Sequence, residues 1–310
     1  MEDKVLLNTR EVAHFLDVNE KVVYSLISDK GLPATKVTGK WLFPKQQVLQ
    51  WIENETLNYP KSLRSLPPHH DLLIISGSSD ILLEKAIAFY NRTFQEHIAV
   101  FDNGGCEGGL RALAQGRCHI ASSHLLQGDE QEYKFDYAFQ ELKGDPPAVV
   151  NFCRREQGLV VAGENPKGIS RVSDFGRKGI RIANHPRGTC TRLLLDWELQ
   201  KAGIRGEDIA GYDREFSGDL EVGLEVLTGR ADAALGTRTV ATLLNLDFIP
   251  VRWERYDLIM SRERFFQEGV QLFLGLLHEQ PFRDLVDGLE GYELDLCGKI
   301  VFPQKSPKGR

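Results

Sequence analysis

From Asp71 onward, short apolar runs alternate with stretches of helical spacing, and few architectures accommodate that rhythm. Leu72-Leu73-Ile74-Ile75 reads as a buried strand, followed by the loop Ser76 to Asp80 and a helix from Ile81 to Asn91. Ile98 to Phe101 is a second strand, followed by the glycine-rich run Gly104 to Gly109 and a helix through Ala114. Ile120-Ala121, Ala148 to Phe152, Gly158 to Ala162, Ile180 to Ala183 and Ala231 to Leu235 continue the series. Parallel neighbours need a crossover, usually a helix. The alternation therefore predicts a mostly parallel, doubly wound α/β architecture. The 310-residue chain leaves room for two such lobes.

Upstream the pattern is helical, with Trp41 and Trp51 in a short span. Between the two parts, YPKSLRSLPPHH (59–70) carries three prolines, two cations and two histidines. Pro-Pro continues neither a helix nor a central strand, so this segment reads as a semi-rigid linker. His69-His70 is either a solvated pair or a metal fragment without further ligands. The divisions expected are a head at 1–56, a linker at 57–70, a second domain at 71–303 and a disordered polar tail at 304–310.

In the head, Thr9 is placed to cap a helix bearing Val12, Ala13, Phe15 and Leu16. The turn Asp17-Val18-Asn19 leads into Glu20 to Ser28, with Val22, Val23, Leu26 and Ile27 inward. That is helix-turn-helix spacing. Lys21, Tyr24, Ser25 and Ser28 then face outward, free to meet a DNA groove. Ala34 to Val37 and Lys40 to Phe43 form a hairpin around Thr38-Gly39, a wing, and Pro44 opens a third helix. The whole chain has a net charge of −6, yet between Lys21 and Lys45 there are five lysines and one acid. Lys36 and Lys40 in the wing supply a local phosphate-binding patch on this scaffold. A helical protein-interaction module is the alternative reading.

The segment LLNTREVAHFLDVNEKVVYSLISDKGLPATKVTGKWLFPKQQVLQWIE, residues 5 to 53 without the first valine, resembles the excisionase-type winged helix, a relative of the MerR class. That resemblance implies binding to double-stranded DNA.

In doubly wound folds ligands sit at the C-terminal ends of strands, where helix N-termini offer free N–H groups to anions. Ser78 and Ser79 follow the first strand and are expected at a helix start. Asn103, Gly104 and Gly105 follow the second, and Ser122-Ser123-His124 come after the third. Arg187, Gly188, Thr189, Cys190 and Thr191 lie between a strand and the helix Leu193 to Leu199, with Arg192 beside them. Each loop alone is an ordinary strand-helix turn; together they suit a cleft between lobes.

Four longer motifs, REQGLVVA-x-x-NPKGI (155–169), N-x-x-RGTCTRLLLD (184–196), GRADAALG (229–236) and ERYDL (254–258), resemble a periplasmic-binding-protein-like domain fused to helix-turn-helix heads. That family is similar in turn to molybdate- and tungstate-binding proteins and occurs beside molybdenum-cofactor genes. The resemblance implies a bilobal type II fold with crossovers near residues 153 and 237–250. Lobe one would comprise about 71–152 and 240–303, and lobe two about 153–239. By position it implies ligand contacts from Ser78 or Ser79, Asn103 to Gly105, Gly188, Thr189 and Thr191, with Tyr256 at the cleft or its hinge. Asp219 stands where the family often has a histidine. A carboxylate there repels an oxyanion unless paired with an arginine such as Arg187 or Arg192; otherwise it points to a ligand with a cationic group or serves as a plain helix N-cap.

Cys106, Cys118, Cys153, Cys190 and Cys297 show no C-x-x-C pair, which argues against a disulfide framework or a structural zinc site. Cys190 at a helix start, with His185 nearby, is a candidate reactive thiol, but no base is assigned to it. No P-loop, dinucleotide fingerprint or zinc-hydrolase helix is present. The expectation is therefore a non-enzyme with no catalytic residues, no metal and no cofactor beyond an oxyanion effector. The N-terminus lacks the features of a secretory signal and no apolar run is long enough to span a bilayer, so a cytoplasmic protein without membrane contact is expected. The function expected is a one-component transcriptional regulator, a homodimer sensing a small anion such as molybdate or tungstate. The alternative is a cytoplasmic solute-binding protein or small enzyme acting on an organic ligand.

Overall fold

The computed structural model describes residues 5–37, 39–55, 71–124 and 147–302. The expected linker at 57–70, with His69-His70, the tail at 304–310 and Thr38 of the wing tip lie outside the described residues. The chain forms two compact units, Met1–Leu63 and Arg64–Arg310.

The first unit begins with β1 (Leu6–Asn8), α1 (Thr9–Phe15) and α2 (Glu20–Lys30), then β2 (Thr35–Val37), β3 (Lys40–Pro44) and α3 (Lys45–Glu55). Asn8, not Thr9, caps α1: its Oδ1 accepts from Glu11 N at 3.0 Å, and Glu11 Oε2 accepts from Asn8 N at 2.9 Å. This reciprocal box satisfies two donors that a helix start leaves free. Asn19 caps α2, which ends at Gly31 with φ of 65°, a left-handed conformation that glycine adopts without steric cost. Pro44 closes β3 rather than opening α3, and β1, which the pattern of the sequence did not suggest, completes a sheet of order β1-β3-β2. Val12, Val23, Leu32, Phe43 and Val48 form a core with no more than 2% exposure. Trp51 Nε1 donates to Lys30 O at 2.9 Å and so ties α3 to the end of α2.

In the second unit, β4 (Leu72–Gly77), α4 (Ile81–Thr93), β5 (Ile98–Asp102), α5 (Gly105–Ala114) and β6 (Ile120–Ser123) build lobe one. The strand β7 (Ala148–Val161) leads to lobe two, made of β8 (Ile182–Ala183), α6 (Cys190–Lys201), α7 (Asp219–Leu227), β9 (Ala233–Thr237) and α8 (Arg238–Leu243). The strand β10 (Asp247–Met260) returns to lobe one, where α9 (Glu268–Leu276) adds to the core. The sheet order is β5-β4-β6-β10-β7-β9-β8.

Two expectations change here. Residues 148–152 and 158–162 are parts of one 14-residue strand, and β10, of equal length, falls where a crossover loop and no strand was expected. The sheet is therefore mixed rather than mostly parallel: β4 pairs β5 and β6 in parallel, while β10 is antiparallel to β6 and β7. The two long strands pair from Asp247↔Val161 to Met260↔Ala148, with register irregularities at Pro250/Arg252 and Tyr256/Asp257. Lobe one packs around Leu73, Ile75, Leu82, Phe152 and Phe273, and lobe two around Leu159, Ile182, Leu194 and Leu235.

Close packing sets the aim of α5. A Cβ on Gly109 would lie 2.6 Å from both Gly77 Cα and Ser76 O, so only glycine lets this helix touch the end of β4.

Candidate ligand cleft and DNA-binding face

The loops at the C-terminal ends of β4, β5 and β6 meet the loops of lobe two that precede α6 and α7. Asn103 Nδ2 donates to Ser217 O at 2.6 Å, and Glu107 N donates to Gly188 O at 3.3 Å. Cys106, in the first turn of α5, is disulfide-bonded to Cys190, the first residue of α6, with Cα atoms 5.9 Å apart. Two helix N-termini thus face each other across the lobes. Each carries roughly half a positive charge. The N-cap of α5 is Gly104, which has no side chain to compensate its first N–H groups. The α6 N-cap, Thr189, accepts from Arg192 N.

Below these loops runs a buried polar chain. Asp80 caps α4, accepting from Leu82 N and Leu83 N at 2.8 and 3.2 Å. Its Oδ2 accepts from Arg155 Nη1 at 2.8 Å and from Tyr292 Oη at 2.9 Å. Arg155 Nε reaches Glu254 Oε1 at 2.7 Å, and Gln157 Nε2 reaches the same oxygen at 3.0 Å. Arg155 and Glu254 are register partners on β7 and β10. Glu254 Oε2 takes His124 Nδ1 at 2.9 Å, and His124 Nε2 meets Ser78 Oγ at 3.1 Å. Burial raises the Glu254 pKa, but His124 and Arg155 beside it outweigh burial and hold the value at about 2. The carboxylate therefore accepts, Nδ1 carries the proton, and in the neutral ring the Nε2 lone pair faces Ser78. Gln157 Oε1, fully buried beside this chain, has no partner among the described residues.

The expected contacts fall in this region with several corrections. Ser78 and Ser79 precede the helix start, and the cap is Asp80. Ser79 Oγ lies 3.5 Å from the position of a Cβ on Gly218, so Ser79 looks onto lobe two. Ser122 Oγ donates to Ser78 O at 3.0 Å and thus serves the loop. Tyr256 is buried on β10, and its hydroxyl also donates to Ser78 O, which places it beneath the loop rather than at a closing edge. Thr189 and Thr191 sit at the start of α6, Thr191 buried. Asp219 is the first residue of α7 after the N-cap Gly218, so it is not the cap. It pairs with His185 Nε2 at 3.4 Å rather than with an arginine. That nitrogen also donates to Leu235 O at 3.0 Å. Burial lowers the His185 pKa, against the opposing pull of Asp219. Arg192 is committed to Asp196, Glu215 and His185 O and stacks 4.0 Å over the Tyr212 ring, while Arg187 is exposed. The expectation of no disulfide and of a reactive thiol at Cys190 is corrected: lobe contact joins Cys106 and Cys190, which lie 84 residues apart, a pairing without a local motif. Cys118, Cys153 and Cys297 are free and buried.

In the first unit Lys21, Tyr24, Ser25 and Ser28 are all on the exposed face of α2, and Lys36 and Lys40 are exposed on the wing. Ser25 and Ser28 Oγ donate to carbonyls of their own helix, at 2.9 Å to Val22 O and 3.1 Å to Ser25 O. Lys36 Nζ lies 5.5 Å over the Trp41 ring, which extends it along the wing.

A two-lobed mixed sheet bridged by two long strands, with the strand-end loops of the two lobes in contact, defines a binding-protein fold. The chain belongs to the PBP superfamily: a model of the PBP superfamily domain matches residues 87–278, and a helix-turn-helix domain model matches residues 6–56. YvgK of Bacillus subtilis (strain 168), an uncharacterised protein, is 27% identical over 94% of this chain and 96% of its own length. An uncharacterised Clostridium pasteurianum protein from the 5′ region of a 2Fe-2S ferredoxin gene is 34% identical over 35% of this chain and 97% of its own length. A putative phosphate ABC transporter substrate-binding protein from Clostridium perfringens, solved with bound phosphate, superposes with a TM-score of 0.53 at 12% identity, covering 72% of this chain and 99% of that one. The regulatory domain of MetR, a LysR-family regulator from N. meningitidis, gives 0.50 at 12% identity, over 72% and 98%. At such identities these two show the fold alone. Among the described residues, no helix is long and apolar enough to cross a membrane.

Proposed function

We propose that this chain is a cytoplasmic one-component transcriptional regulator, a homodimer whose cleft senses a small oxyanion, with molybdate and tungstate as the first candidates. A DNA-binding head on a PBP-like domain supports the regulator reading. One small head buries too little surface for specific operator binding, which favours pairing on a two-fold site.

The observation that carries the anion is the convergence of α5 and α6. Two positive helix ends held within one cleft repel each other unless negative charge lies between them. Ser79, Asn103 and Thr191 add neutral polar groups around that point; the Ser78 and Thr189 hydroxyls are held by His124 Nε2 and Pro186 O, and Arg155 is spent on Asp80 and Glu254. Recognition would then rest on hydroxyl and N–H groups, with the Asp219 carboxylate held 3.4 Å from His185 Nε2. The Clostridium perfringens fold relative binds phosphate, which makes phosphate a necessary competitor in the test.

Thermal unfolding against molybdate, tungstate, phosphate, sulfate and small organic acids decides the ligand. A ligand at 100 times its Kd stabilises the unit by about 2.7 kcal/mol. A shift with molybdate or tungstate alone supports the reading. No shift with any oxyanion sinks it and leaves the regulator with an organic effector.

A further inference from the structure

Cys106 and Cys190, at two helix starts in different lobes, meet His124 just after β6, and all three are buried. One Sγ or ring nitrogen from each lies within 4.8 Å of the others. Glu254 occupies His124 Nδ1, so Nε2, whose neighbour is the rotatable Ser78 hydroxyl, is the nitrogen open to a metal. A histidine whose second nitrogen is held by a carboxylate is the arrangement that orients imidazole toward a metal. Both sulfurs stand in the first turns of α5 and α6, where positive helix ends favour negative sulfur. Ser123 Oγ lies 3.9 Å from Cys190 Sγ and Ser78 Oγ lies 3.1 Å from His124 Nε2, so small polar groups rim the cluster. The other three cysteines lack such company. Burial pushes the thiols of Cys118 and Cys297 up to about 12 and that of Cys153 well above its ordinary range.

We propose that, once the Cys106–Cys190 disulfide is reduced, Cys106, Cys190 and His124 Nε2 bind one soft d10 metal ion, Zn²⁺ or Cu⁺, as a staple between the lobes. This departs from the sequence expectation of no metal. Two thiolates and one imidazole suit such ions, and three protein ligands leave one position open for a fourth donor on Zn²⁺. The exchange balances with a small-molecule thiol as reductant. Two equivalents supply two electrons and two protons, the protein S–S bond breaks to two thiols, and the reductant leaves as its own disulfide. Metal binding then releases the two thiol protons to solvent. A small-molecule disulfide reverses the exchange, taking two electrons from the thiolates and leaving as two thiols; this re-forms the protein S–S bond and removes both sulfur ligands, so metal and disulfide are mutually exclusive. The site does not depend on the oxyanion reading, since metal titration proceeds without any oxyanion.

The test uses the full chain, reduced and anaerobic, titrated with Zn²⁺ and separately with Cu⁺ against chromophoric chelators, and with Co²⁺ as a spectroscopic stand-in. One equivalent per chain is expected, with thiolate-to-Co²⁺ charge-transfer absorption. Oxidised protein should bind at least 100-fold more weakly, and Cys106→Ser and Cys190→Ser should fall by a similar factor. His124→Ala should lose at least 10-fold, and Cys118→Ser should lose nothing. The oxidised wild type is a comparison that needs no substitution, so a variant that fails to fold leaves the answer intact. Equal affinity in reduced and oxidised protein, or a reduced protein that yields both metals to the chelators, overturns the site.

Discussion

Replacing Arg155 by methionine keeps much of the side-chain bulk and removes the guanidinium that joins the cleft loops to the bridging strands. Asp80 and Glu254 would each lose an ion pair, at 2.8 and 2.7 Å, in surroundings where all three side chains are at most 4% exposed. Breaking a buried pair from one side costs about 3–5 kcal/mol, because the remaining charge stays desolvated. The Glu254 carboxyl gives a second route to the magnitude. Its pKa is lowered from 4.5 to about 2. At 1.36 kcal/mol per unit that is roughly 3 kcal/mol, part of it owed to His124. For a domain of this size the loss corresponds to a Tm lower by about 6–20 °C. A depressed folded-state pKa means that the stabilisation is full above pH 4.5 and is lost as pH falls through about 2. The gap between wild type and Arg155→Met should therefore be widest near neutrality and narrow on acidification. Thermal unfolding followed by circular dichroism from pH 7 to pH 3 measures both. A variant within about 2 °C of wild type at pH 7, or a gap unchanged at pH 3, would refute the account.

Gly109→Ala should destabilise the second unit by about 1–3 kcal/mol, since the new methyl would overlap Gly77 and Ser76 O. A neutral effect in thermal unfolding would mean that α5 slides freely on β4. On a random-sequence duplex, Lys36→Ala and Lys40→Ala should each lower the slope of log K against log salt by about 1. Slopes equal to wild type would remove the wing from the DNA contact. A cross-link over 84 residues contributes about 4–5 kcal/mol by chain entropy. Reductant should thus lower the Tm of metal-free wild type and leave Cys106→Ser unmoved; equal melting with and without reductant contradicts the link.

The head was readable because its signals are local. Apolar spacing, the turn at Asp17 to Asn19 and the glycine at the wing tip each lie within a few residues; the cap shifted from Thr9 to Asn8, Pro44 closed β3 instead of opening α3, and the three-residue β1 was too short to read. The alternation after Asp71 pointed to the class of the second unit for the same reason. It misled on β7 and β10, because Arg154 to Gln157 and Arg252 to Arg255 are too polar to read as strand interior. Those polar residues are where the bridge carries Arg155 and Glu254, charges buried only because each finds the other. The loops of the cleft were visible as glycine and hydroxyl clusters at strand ends. Their connections were not: His124, Asp80 and Cys106 lie in or beside those loops, but they meet one another and Glu254 by topology, through separations of up to 174 residues, the span from Asp80 to Glu254. A buried arginine on a bridging strand, inside the motif REQGLVV, was the one available cue.

The bridge between the lobes also fixes a mechanical scale. Both connections are strands of one hydrogen-bonded ribbon, so the lobes turn by twisting a stiff band at its two register irregularities rather than by swinging on slack loops. Ser78 reaches that band through two β10 side chains beside the second irregularity, Glu254 by way of His124 and Tyr256 directly. A force applied so near the pivot works on a short arm, and the rim of each lobe lies on the long one. Small displacements at the cleft floor are therefore geared up toward the periphery.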